Sequence, residues 1–217
     1  MEEENVLAPA VQAFCETVKL KFQQFRRVVP KGSNSALTGA FVEELVRGFV
    51  GTWISPSLLM HGTLYPHDTY KLLPPGPSPW PEGCFPKQID GIVYDPRLGP
   101  AIIREGSFLV THPAFCRGII EIKTSEQDLK GFKTRLEVLH WQYLVGCSCA
   151  GPQSVMGIVI QDSNPERHAC PRLFDSVYPI FILFKEEEGE YEPNCPMIET
   201  MIRTIFRNAQ FSITCSL

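Results

Sequence analysis

Apolar residues recur along the chain in two rhythms, one of three to four positions and one of two. From 8 to 29, Val11, Phe14, Val18, Phe22, Phe25 and Val29 follow the first, which predicts an amphipathic helix ended by "PKGSNS". A second helix is predicted over 36–53, with Leu37, Phe41, Leu45, Phe49 and Trp53 as its apolar seam and Gly39, Glu43, Val46 and Val50 along another edge. "SLLMHGTLY" (57–65), "QIDGIVYD" (88–95), "GIIEIK" (118–123), "SVMGIVIQ" (154–161) and "VYPIFILF" (177–184) read as strands. "LPPGPSPWPEGCFP" (73–86) is too rich in proline and glycine for regular structure and reads as a long loop. No element is assigned to "PAIIREGSFLVTHPAF", which separates the second and third strands.

Residues 125–145 open with Ser125 and Asp128 in a capping-box-like arrangement, and Leu129, Phe132, Leu136, Leu139 and Tyr143 continue as a helical seam. A last helix is predicted over 197–207, with Met201, Ile202 and Ile205 inward. The order helix–helix–β–β–β–helix–β–β–helix indicates an α/β fold, a mixed sheet flanked by helices in three layers. It is read as one domain over 1–217, with an N-terminal helical segment (1–33), a core (35–185) and a C-terminal hairpin and helix (186–217).

Composition changes this picture little. With 217 residues, 44% of them hydrophobic, the chain can bury a substantial core. The acidic start "MEEENVLAPA" lacks the order of a signal peptide, and "VYPIFILF" is too short to span a bilayer as a helix, so a soluble cytoplasmic protein with no membrane partner is expected. Eight cysteines then suggest reduced thiols rather than a disulfide framework. Cys147, Cys149, His168 and Cys170 could supply four zinc ligands, but their spacing matches no common zinc pattern, and ordinary buried thiols are the better reading.

The net charge of −4 does not announce a nucleic-acid binder. A basic run, "KLKFQQFRRVVPK" (19–31), and the trio Lys130, Lys133 and Arg135 offer weak support for one; "EEEGEYE" (186–192) reads as a solvated acidic turn.

Chemistry enters at "GIIEIK". Ile120 and Ile122 share one strand face, while Glu121 and Lys123 share the other. Opposite charges on a strand this apolar are costly unless that face borders water, a metal or a charged ligand. In "QIDGIVYD", Gln88 and Asp90 likewise share a face. Were the two strands neighbours, Asp90, Glu121 and Lys123 would converge. Two carboxylates supply hard oxygen ligands for Mg²⁺, and a lysine can orient water or stabilise developing negative charge. Such a set suits metal-assisted hydrolysis of a phosphodiester.

The plain alternative is a solvated strand edge carrying a cross-strand pair. Asp95, before Pro96, reads as a turn residue; His61 and His140 read as packing residues, and Trp53 and Trp141 as core.

Four short motifs in order, "GAFVE" (39–43), "HGT" (61–63), "QIDGIVYD" and "EIKTS" (121–125), resemble the PD-(D/E)xK nuclease superfamily, and within it the nuclease-like domain of unknown function 6602. The resemblance spans roughly 35–135 and implies a restriction-endonuclease-like core. By that resemblance Glu43 is the helix glutamate, with Gly39 one turn earlier allowing close packing and Glu44 as competitor. Asp90 and Glu121 are the metal ligands, joined by the Ile122 carbonyl; Lys123 is the catalytic lysine, and Gln88 stands beside the site. Gly91 departs from the branched apolar residue usual in the family.

The implied function is Mg²⁺- or Mn²⁺-dependent cleavage of nucleic acid, DNA ahead of RNA, in a defence or restriction setting, with a homodimer left open. The competing reading is an inactive module of the same fold that binds nucleic acid or a protein partner.

Overall fold

The computed structural model describes residues 7–30, 34–53, 58–65, 88–125, 128–140, 154–164, 167, 177–187 and 190–214. The proline-rich loop and the Cys147, Cys149, His168 and Cys170 set lie outside them, as do Trp141 and the Trp53 side chain.

Two helices open the chain, α1 (Leu7–Val28) and α2 (Ser35–Trp53). Strands β1 (Leu58–Leu64), β2 (Ile89–Tyr94), β3 (Ile103–Glu105), β4 (Phe108–Thr111) and β5 (Cys116–Lys123) follow. Helix α3 (Leu129–His140) leads to β6 (Ser154–Asp162), β7 (Ile180–Glu187), β8 (Glu190–Pro193) and α4 (Cys195–Thr214). The strands form one eight-stranded mixed sheet in the order β3-β4-β1-β2-β5-β6-β7-β8. β2 runs antiparallel to both β1 and β5, whereas β5, β6 and β7 run parallel. The mixed α/β fold expected from the periodicity is therefore the fold observed.

The parallel strands at the centre are buried along nearly their whole length, which is why "VMGIVIQ" and "IFILF" show no alternation. Among the described residues no helix is long and apolar enough to cross a membrane.

Several elements differ from the periodic reading. The unassigned stretch after β2 folds into the β3–β4 hairpin, and β4 pairs in parallel with β1, a partner more than forty residues away. The acidic stretch is no mere turn: Glu186 pairs with Tyr191 across the β7–β8 hairpin, and Tyr191 is buried. Helix α3 starts at Leu129, not near Ser125, because Asp128 is its cap: the Asp128 carboxylate accepts the Gly131 N–H at 2.8 Å.

Helix α2 is rotated from its expected seam. Thr38, Val42, Val46 and Val50 enter the core, while Phe41 and Phe49 stack on Phe25 and Phe14 of α1 and Leu37 is exposed. Two helices share that aromatic seam, so the larger side chains go between them and the smaller ones meet the sheet.

Gly62 is where β1 bends. The β1–β2 register shifts between Met60 and Gly62, and Gly62 has φ +149°. Its missing side chain also matters, since a Cβ there would collide with the Leu109 carbonyl of β4.

Candidate active site

β2 and β5 are neighbours, and that pairing assembles the site. Their ladder is registered through Gly91 and Ile120. One residue beyond, a side chain replaces the β2 backbone: Asp90 Oδ2 accepts the Ile122 N–H at 2.8 Å. In a strand the N–H and C=O of one residue point to the same edge, so the Ile122 carbonyl faces the Asp90 side as well.

Lys123 Nζ lies 2.8 Å from Glu121 Oε1 and 4.0 Å from Asp90 Oδ2. The expected trio thus converges, with the two carboxylates mostly buried and the lysine a third exposed.

Helix α2 brings the fourth residue through one that periodicity did not single out. Arg47 Nη1 donates to the Asp90 backbone carbonyl at 3.0 Å and stands 3.4 Å from Glu43 Oε2. Its Nε and Nη2 hold Glu44 Oε2 at 3.2 and 3.0 Å. Arg47 is itself nearly buried, so it ties α2 to β2 at the point where Asp90 leaves the backbone. Glu43 and Glu44 part here. The Glu43 charge is felt by Asp90, whereas Glu44 is exposed and lines the groove between α1 and α2.

Burial pushes the Asp90 carboxyl above the usual carboxylate range, the Ile122 N–H and Lys123 pull it back, and Glu43 adds to the rise. Glu121 is pushed up by burial and next by the Asp90 charge, against Lys123 and Arg135. Both carboxyls are thus held above their usual range chiefly by desolvation, which Lys123 offsets only in part.

Other expected residues fall into place unevenly. Gln88 is exposed just ahead of β2. Gly39 does not serve close packing, because an added Cβ would meet nothing within 4 Å. Gly91 is the tighter of the two: a Cβ there would lie 3.1 Å from both Ile120 Cβ and Leu59 Cδ1, so the family's branched residue would need those neighbours to give way. Asp95 does sit in a turn, but as a buried anion gripped by Arg97 at 2.8 and 2.9 Å.

His140 is a satisfied packing residue, 2.9 Å from the Tyr178 hydroxyl. His61 is only partly so: its ring stands edge-on to Phe108, yet among the described residues its buried Nδ1 has no hydrogen-bond partner. Burial, and then the Arg47 charge, lower its pKa.

The donor set can be tested against a divalent cation. Among the described residues no three His, Cys, Asp or Glu side chains form a ready cage. Asp90 and Glu121 would have to be completed by backbone, water or substrate oxygens, the manner in which Mg²⁺ is commonly held. A cation between them would relieve the desolvation that pushes both carboxyls up.

No family model and no curated protein matches the chain. Solved structures do. NucC from E. coli MS115-1, in its cAAA-bound form, superposes with a TM-score of 0.64 over 97% of this chain and 92% of that one, at 14% identity. The chain is similar in fold to NucC. NucC from P. aeruginosa ATCC27853, also cAAA-bound, gives a TM-score of 0.54 over 95% and 93% of the two chains, at 11% identity. At these identities the likeness to NucC is one of fold, and it agrees with the restriction-endonuclease-like architecture expected from the motifs.

Proposed function

We propose that the chain is a divalent-metal-dependent nuclease of the PD-(D/E)xK type, acting on DNA in preference to RNA. The observation that carries this reading is the meeting of Asp90, Glu121 and Lys123 at the end of the β2–β5 ladder. The fold likeness to NucC supports it. The narrower likeness to the domain of unknown function 6602 rests on the four motifs alone, and a defence or restriction setting is what the superfamily resemblance suggests.

Asp90, Glu121 and the Ile122 carbonyl would hold Mg²⁺ or Mn²⁺, which when bound supplies charge for a phosphodiester oxygen and acidifies water. The chain's own residues do the rest. Lys123, tethered by Glu121, presents an ammonium that orients the attacking water and faces the negative charge growing on the phosphate. Arg47 holds the Asp90 backbone and stands beside the Glu43 carboxylate, so Glu43 is kept near the acids as an outer partner for an ion or its water. Burial of the two acids removes competing solvent, which strengthens each charge interaction among them.

The test is incubation of purified protein with plasmid, linear and single-stranded DNA and with RNA, in Mg²⁺, Mn²⁺ or EDTA. Cleavage should require the metal and fall by at least about 100-fold in Lys123→Ala, as loss of one positioned donor to developing charge does. Asp90→Ala should abolish it. Cleavage that survives both substitutions rejects the site; metal-dependent binding without cleavage of any substrate would favour the inactive-module reading.

A further inference from the structure

Two thiols from opposite ends of the chain meet in the fold. Cys15 of α1 and Cys195, the first residue of α4, are both free, and their sulfurs lie 3.3 Å apart. The two positions are 180 residues apart in sequence. Cys15 is buried, at 2% exposure, while Cys195 is half-buried. A cavity of about 470 Å³ opens beside the pair, lined by Gln12, Glu16, Pro193 and Glu199 among others, and it is wide enough for a small oxidant to reach the sulfurs. A disulfide needs the sulfurs at about 2.05 Å. The pair therefore has little more than 1 Å to close.

We propose that Cys15 and Cys195 are a reversible thiol–disulfide pair that staples α1 to α4 when the chain meets a peroxide. Cys195, the accessible sulfur, attacks the peroxide oxygen; the O–O bond breaks, one oxygen stays as a sulfenic acid, and the other leaves as water. The Cys15 sulfur then displaces that hydroxyl, its own proton departing with it as a second water, and the S–S bond closes. Two electrons leave the two thiols and reduce one peroxide. The buried Cys15 thiol, pushed up to about 12 by burial and then by Cys195, stays protonated in the reduced pair, so Cys195 and not Cys15 meets the peroxide first. In a reducing compartment the pair is open. Closing it would cross-link nearly the whole chain, and long loops constrain the unfolded state most.

The experiment uses the full chain, reduced and then treated with hydrogen peroxide, and maps its peptides by mass spectrometry without reduction. Cys195→Ser and Cys195→Ala are treated in parallel. A Cys15–Cys195 linked peptide pair, lost on adding dithiothreitol, is expected. With it should come a rise in Tm of roughly 5–15 °C for the oxidised over the reduced chain. Neither variant should show that rise. A folded, peroxide-treated chain in which Cys195 ends as a sulfinic acid, or is linked to another cysteine, overturns the proposal. So does a Cys15–Cys195 link that leaves the Tm unchanged. The wild-type map decides the matter even where a variant fails to fold.

Discussion

Removing Arg47 should loosen the joint between α2 and β2. Arg47→Ala deletes the donor to the Asp90 carbonyl, and a hydrogen bond from a charged group is worth about 1.5–3 kcal/mol. The Glu43 pair, longer and partly exposed, adds under about 1 kcal/mol, and the exposed Glu44 pair close to nothing. The sum is roughly 2–4 kcal/mol, which for a chain of 217 residues lowers Tm by roughly 4–15 °C. Arg47→Lys should fall between, since a compact ammonium cannot serve a carbonyl and two carboxylates at once. Glu44→Ala is the control and should cost less than about 0.5 kcal/mol. Urea and thermal unfolding measure the stability, and the metal-dependent cleavage rate should fall in Arg47→Ala even at a temperature where it is fully folded. An Arg47→Ala loss no greater than that of Glu44→Ala would show that the Asp90 contact contributes nothing and refute the reasoning.

The other expectations concern single contacts. Arg97 holds the buried Asp95 carboxyl below the usual carboxylate range, so its stabilisation is present above the unfolded pKa of about 3.9 and is lost as pH falls through the lower folded value. Asp95→Asn should therefore cost about 1–3 kcal/mol at neutral pH in urea unfolding, and the gap to the wild type should close under strongly acidic conditions. Gly39→Ala, a helix-interior change into open space, should raise stability by about 0.5–1 kcal/mol; a loss would restore the packing role. Gly91→Ala should cost about 1–3 kcal/mol, since Ile120 and Leu59 stand on either side of the added methyl, and a neutral result by the same assay would mean the strands part freely.

Period-two alternation was enough to mark Glu121 and Lys123 as a pair needing an explanation, and Asp90 as their companion, because side chains on one strand face are set by covalent geometry alone. The helices were legible for a similar reason: burial of one face imposes a spacing that a reader can count. Where two buried partners compete for that face, counting fails. Helix α2 touches both the sheet and α1, so its phenylalanines and its valines each form a stripe, and only packing decides which stripe enters the core.

Local periodicity therefore reveals the helices, five of the strands and the three charged residues of two of them, since each repeats within a few positions. Tertiary structure alone decided what joins them. Arg47 reaches a carbonyl 43 positions away, β4 finds β1 rather than only its hairpin partner, and Cys15 finds Cys195 across 180 positions. Such contacts leave no periodic trace, because they are fixed by how whole elements stack and not by the residues adjoining them.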